Sequence, residues 1–187
     1  MTTDFVMRIG RAISMISVEA RRAIYLGILT LLVAAPLARA SGNHEQLPLA
    51  TDLRAAGAVS ATDQLVILVA ATREGCSYCA LLKREILLPM LKSGEYEKKI
   101  LVRELVIEPE TDVIGFDGRT VSSSELASKY SVKITPTVLL LDNAGNPLHP
   151  PITGINTAEM YGFYLDRAID QALARLKSSR PPTTAQE

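Results

Sequence analysis

The sequence has no tryptophan, only two cysteines and only two histidines among its 187 residues. Two cysteines cannot build a multi-disulfide scaffold; they make one switchable bond or half of a metal site. Zinc asks for four ligands, and there is no second cysteine pair. Only His44, in a polar linker, and His149, at a proline-rich edge, could add ligands, and both read as exposed. An excess of either charge is also missing, with 20 basic and 20 acidic side chains. The placement is uneven. Residues 1–40 carry five arginines against Asp4 and Glu19, leaving 15 basic and 18 acidic side chains beyond them. A mildly acidic body has no electrostatic case for nucleic acid. No internal repeat is present, and no apolar run reaches the roughly 20 residues of a membrane span.

The longest apolar run is Ala23 to Ala35, directly after Arg21 and Arg22. Pro36 ends it, and Ala38-Arg39-Ala40 places small residues where a signal peptidase reads them. A basic segment, a short apolar segment and an A-x-A site read as a signal peptide over residues 1–40, cleaved after Ala40. An uncleaved anchor is the alternative. The segment before the run is long, so Met7 or Met15 are candidate starts. Residues 41–48 read as a linker, 49–177 as one α/β domain, and 178–187 as a polar tail.

An apolar fraction of 48% suffices for a packed core. Residues 49–61 read as a helix capped by Thr51, with Leu53, Ala56 and Val59 on one face. Leu65–Ala71 is a continuous apolar run, the mark of a central strand buried on both faces. A helix is expected from Cys76 to about Leu88, with a kink or restart at Pro89 through Lys98. Ile100–Ile107 is a second strand. Asp117-Gly118 marks a tight turn, with a small hairpin inserted between Glu108 and Val121. The acids there lack calcium-loop spacing. Ser122 and Glu125 form a capping box for a short helix. Val138–Leu141 is a strand, Asp142–Asn146 a hairpin turn, and Pro147–Ile155 an edge partner broken by Pro150 and Pro151. Asn156 or Thr157 caps a last helix with an apolar stripe of Leu165, Ile169, Ala172 and Leu176. The order implies a mixed sheet with helices on both faces.

Within this frame Gly75-Cys76-Ser77-Tyr78-Cys79 stands where the first strand ends and a helix begins. A thiolate is the attacking species in disulfide exchange. Unpaired amides and the dipole at a helix start favour that anion on Cys76. Cys79, one turn on, lies on the same side. Cys76 can then form a mixed disulfide with a substrate and Cys79 can resolve it. Gly75 keeps the approach to Cys76 open, and Cys79 is expected to be the buried partner. A metal half-site and inert structural thiols are the competing readings; the strand–CxxC–helix setting favours redox chemistry.

The chain resembles the thioredoxin superfamily over about residues 65–176. The resemblance rests on the Cys76–Cys79 motif at a strand end, the Thr135-Pro136-Thr137 turn before a strand, and Gly154 before the last helix. It implies a thioredoxin-like α/β fold. It also implies a cis peptide bond at Pro136, facing the cysteines, and substrate contacts from Thr135, Pro136, Gly75, Ser77 and Tyr78. A trans bond is the default for Thr135-Pro136 taken alone. Secreted proteins of the SoxW type are a closer likeness, through the Phe116-Asp117-Gly118 turn and the Ser124-Glu125-Leu126-Ala127 helix. The chain departs from cytoplasmic thioredoxins in having Gly75 where they have Trp. It has Ala70 where they have a buried Asp, which leaves water or Glu74 to accept the proton of Cys79. Lys83 and Arg84 read as solvated positions on the helix.

The resemblance implies an exported thiol:disulfide oxidoreductase, most simply a periplasmic reductant. Its only redox group is the Cys76–Cys79 disulfide, with no other cofactor and no metal. The expected partners are disulfide-containing client proteins and a membrane thiol-reductase as electron donor, with the chain a monomer. A non-catalytic binding module or a metal carrier using the same pair is the rival expectation.

Overall fold

In a computed structural model of the chain, residues 46–155 and 157–179 are described. The expected signal peptide and the tail from 180 on lie outside them. So do most of the linker and one candidate cap, Asn156.

The apolar run after Gln64 becomes β1 (Val66–Thr72), with every residue buried. Such a strand must have neighbours on both edges and cover on both faces. It pairs in parallel with β2 (Ile100–Val106), from Val66 beside Ile100 to Thr72 beside Val106. On its other edge it pairs antiparallel with β5 (Thr137–Leu141). The two-residue β6 (Ile152–Thr153) closes the order β2-β1-β5-β6. Between β2 and β5 the chain inserts a hairpin, β3 (Asp112–Ile114) and β4 (Thr120–Ser122), turning at Asp117-Gly118.

Two cores follow from strand alternation. On one face Val66, Leu68, Ala70, Ile100, Val102, Val138 and Leu140 pack under the helices that follow β1 and under α5 (Ala158–Ser178). On the other, Ile67, Val69, Leu105, Leu139 and Leu141 pack under α1 (Leu53–Asp63) and α4 (Ser123–Lys129). This is a thioredoxin-like α/β fold, a mixed sheet with helices on both faces.

Several local expectations need correction. The first helix begins at Leu53, and Asp52, not Thr51, caps it by accepting from the Ala55 amide at 2.8 Å. Residues before it run extended instead. Pro48 O accepts from Glu104 N and Ala50 N donates to Glu104 O, adding a short rail to the β2 edge. Leu47 and Ala50 are thereby buried. Val59 is 40% exposed; the inward face of α1 is Leu53, Ala56, Gly57 and Ser60. Pro89 does not bring a break. Its ring would crowd the carbonyl of Glu85 and it has no N–H to give. The chain meets this with a wide π turn. α2 (Ser77–Leu82) passes through Lys83–Leu87, where the Leu88 amide reaches back to Lys83 O, into α3 (Leu88–Ser93). Gly94, at φ +73°, stops the helix there, five residues short of the expected Lys98. Ser122 caps α4 as expected, accepting from Glu125 N at 3.1 Å. Thr157 stands at the cap of α5 but gives it no side-chain bond.

Candidate functional site

β1 delivers its C-terminal end to the loop Arg73–Gly75, and Gly75 sits at φ +68°. A Cβ there would meet nothing within 4 Å. The glycine is therefore required for backbone sign, not for clearance. Cys76 then caps α2 with extended backbone, and its Sγ accepts from the Cys79 amide at 3.1 Å. An amide aimed at this sulfur favours its thiolate once the pair is reduced. Cys76 and Cys79 are joined as a disulfide, with Cα atoms 5.2 Å apart. The two sulfurs differ in access. Cys79 is 1% exposed, whereas Cys76 is half-buried. Ser77 and Tyr78 both face solvent, Tyr78 at 59%.

The loop before β5 comes to the same place. The Thr135–Pro136 peptide bond is cis. The Thr135 hydroxyl lies 3.7 Å from Cys76 Sγ, and the Thr135 carbonyl oxygen lies 3.8 Å from it. In the disulfide that sulfur has no proton, so the carbonyl approach is a contact and the hydroxyl alone can donate. Pro136 is buried, and its carbonyl accepts from Gly154 N at 2.8 Å. Thr137 Oγ1 donates to Ile134 O at 2.8 Å, which fixes the loop from below.

Residues 53–169 match the family model described as a thioredoxin-like domain, well over half of the chain. The chain belongs to the thioredoxin-like family. Among solved structures it is similar to a thioredoxin-fold protein from Helicobacter pylori. That protein is 23% identical over 60% of this chain and 83% of that one, with a TM-score of 0.38. It is also similar to the thioredoxin NaTrxh from Nicotiana alata. There the identity is 15% over 68% of this chain and 98% of that one, with a TM-score of 0.37. No curated protein matches it.

In this thioredoxin-like chain the sheet face that the CxxC helix covers holds something the sequence did not announce. Ala70 is registered against Glu104 of β2, so both project to the same face. Glu104 is 5% exposed. Its Oε1 accepts from Thr72 Oγ1 at 2.7 Å and from Lys83 Nζ at 2.8 Å. Lys83, expected to be a solvated position, is thus half of a buried-side ion pair. Arg84 is solvated and pairs with Glu85. Glu74, named as a substitute acid, is exposed; its amide donates to Glu108 Oε1 at 3.0 Å. Two charges of opposite sign, Arg103 and Glu104, adjoin in β2 and point to opposite faces. That adjacency concealed which of them turns to the face that the CxxC helix covers.

Ile134 was also missed. It is 58% exposed beside Thr135 and borders a groove of about 200 Å³ with Arg73, Ser128 and Lys133. A larger cavity, about 340 Å³ between Ser60, Gln64, Asn143 and Lys177, opens at the opposite end of the sheet. It is remote from the sulfurs and takes no part in their chemistry. No group of three or more His, Cys, Asp or Glu that could hold a metal ion forms among the described residues. None of the described helices is long and apolar enough to cross a membrane.

Proposed function

We propose that this chain is an exported thiol:disulfide oxidoreductase working as a reductant. The observation that carries the chemistry is the asymmetry of the pair. One sulfur is reachable beside Thr135 and the other is sealed beneath it. The reachable Cys76 attacks as thiolate, and one client sulfur leaves as the mixed disulfide forms. Cys79 then attacks Cys76 Sγ. The second client sulfur departs, two electrons have passed to the client, and the pair is left as a disulfide.

The Thr135 backbone beside Cys76 and the exposed Tyr78 and Ile134 side chains supply a surface for a client strand. Export rests on residues 1–40, and the oxidising compartment beyond then requires a membrane dithiol donor to restore the pair. The Phe116-Asp117-Gly118 turn and the Ser124–Ala127 helix support the likeness to SoxW-type proteins. The chain acts on protein clients as a monomer.

Insulin reduction in dithiothreitol tests the activity. The protein accelerates it and Cys76→Ser abolishes the acceleration; an inert wild type would sink the reading. Equilibration in thiol buffers tests direction. A potential near thioredoxin's, about −270 mV, fits a reductant, and one near −120 mV an oxidant.

A further inference from the structure

Resolution needs a thiolate at Cys79, a sulfur only 1% exposed. Solvent reaches it poorly and burial disfavours its ionisation. Glu104 is the one acidic side chain buried among the described residues. It shares a face with Ala70 and Thr72, the face on which the CxxC helix packs through Leu82. Lys83, its ion-pair partner, is one helical turn beyond Cys79 and so follows it on the same side. Both bonds to the carboxylate fall on Oε1, and no protein group bonds Oε2 among the described residues.

We propose that Glu104 is the proton acceptor for Cys79. Lys83 and Thr72 are its positioning residues: Lys83 balances the buried charge, Thr72 fixes the rotation, and together they leave Oε2 free. This rests on the oxidoreductase reading. In the mixed disulfide the Cys79 thiol gives its proton to Oε2, directly or across one water. The thiolate attacks Cys76 Sγ, the Cys79–Cys76 bond forms and the Cys76–client bond breaks. The client sulfur leaves with the electron pair and takes a proton from solvent, to which Glu104 returns its own. In the opposite direction the same carboxyl delivers the proton as Cys79 leaves. The other titratable groups on this face are Lys83 from the CxxC helix and Tyr161 from α5; β1 and β5 present only apolar side chains and Thr72 there.

Stopped-flow mixing of the reduced protein with dithiobisnitrobenzoate separates the two steps. The first coloured thiolate released reports attack by Cys76 and depends on reagent concentration. The second reports resolution by Cys79 and does not. Glu104→Gln is expected to slow the second phase ~10-fold or more near neutral pH, with the first phase unchanged within about twofold. The gap closes as pH rises and hydroxide takes over the deprotonation. If Glu104→Gln fails to fold because it strands the Lys83 charge, Lys83→Gln with Glu104→Gln removes both charges and keeps the same expectation. An unchanged second phase, or both phases slowed together, overturns the assignment. A wild type that releases no second thiolate defeats the oxidoreductase reading itself.

Discussion

Thr135 meets Cys76 across the end of the sheet, its hydroxyl 3.7 Å and its carbonyl oxygen 3.8 Å from Sγ, while Cys79 stands sealed behind. A client disulfide can therefore reach only one of the two sulfurs. Cys79→Ser should accumulate Cys76-linked mixed disulfides with clients, seen as thiol-sensitive bands on non-reducing gels. Cys76→Ser should accumulate almost none. Equal trapping by both variants would contradict this order of attack.

Ile134 and Tyr78 flank the reachable sulfur at 58% and 59% exposure. Neither supports the core, so Ile134→Ser and Tyr78→Ser should change stability by no more than about 0.5 kcal/mol. Their apolar surface is available to a client strand. Each variant should lower kcat/KM severalfold for a disulfide-bonded protein client, mainly through KM. Turnover of a small aryl disulfide, which does not span the surface, should stay within about twofold. A loss equal for both substrates would place the effect on the cysteines and not on client contact.

Gly57 lies on the inward face of α1, where a Cβ would run into the carbonyl oxygen of Asn143 in the turn after β5. Two effects compete in Gly57→Ala. Helix propensity favours alanine by about 1 kcal/mol. Overpacking against backbone costs about 1–3 kcal/mol, and a carbonyl in a tight turn cannot rotate away as a side chain would. The net expectation is a loss of up to about 2 kcal/mol, read as a lower urea midpoint at unchanged slope. A raised midpoint would mean that the turn yields.

The same glycine shows why only part of this architecture was legible. Within α1 it reads as a weak point, because its reason is a turn some 86 positions later in sequence. The strands were legible because burial on both faces writes a continuous apolar run, as in Val66–Ala71. The cysteine motif was legible because its spacing is local. What failed was tertiary. The extended rail at Pro48–Ala50 depends on the free edge at Glu104. The inward side of Glu104 depends on strand phase, which the neighbouring Arg103 obscured. The π turn at Lys83–Leu87 is a response to Pro89 that composition alone does not choose over a break.

Tyr130 and Tyr161 are both buried, and burial pushes the phenol of each up to about 12. They differ in partners. The Tyr130 hydroxyl donates to Gly145 O at 2.8 Å, whereas the Tyr161 hydroxyl has no partner among the described residues. Unfolded tyrosine ionises near 10. Between that pH and about 12 the unfolded chain has released protons that the folded chain still holds. Stability must then fall as pH rises, by up to about 1.4 kcal/mol per unit for each such group. Below pH 10 their contribution is complete. Urea melts at about pH 8 and pH 11 separate the two residues. Tyr130→Phe strands a buried carbonyl and should cost about 1–2 kcal/mol at pH 8, with a smaller deficit at pH 11. Tyr161→Phe removes a hydroxyl that bonds nothing, so it should be neutral or stabilising at pH 8 and relatively better still at pH 11. A deficit for Tyr161→Phe at pH 8 as large as that for Tyr130→Phe would mean that its hydroxyl is bonded in solution.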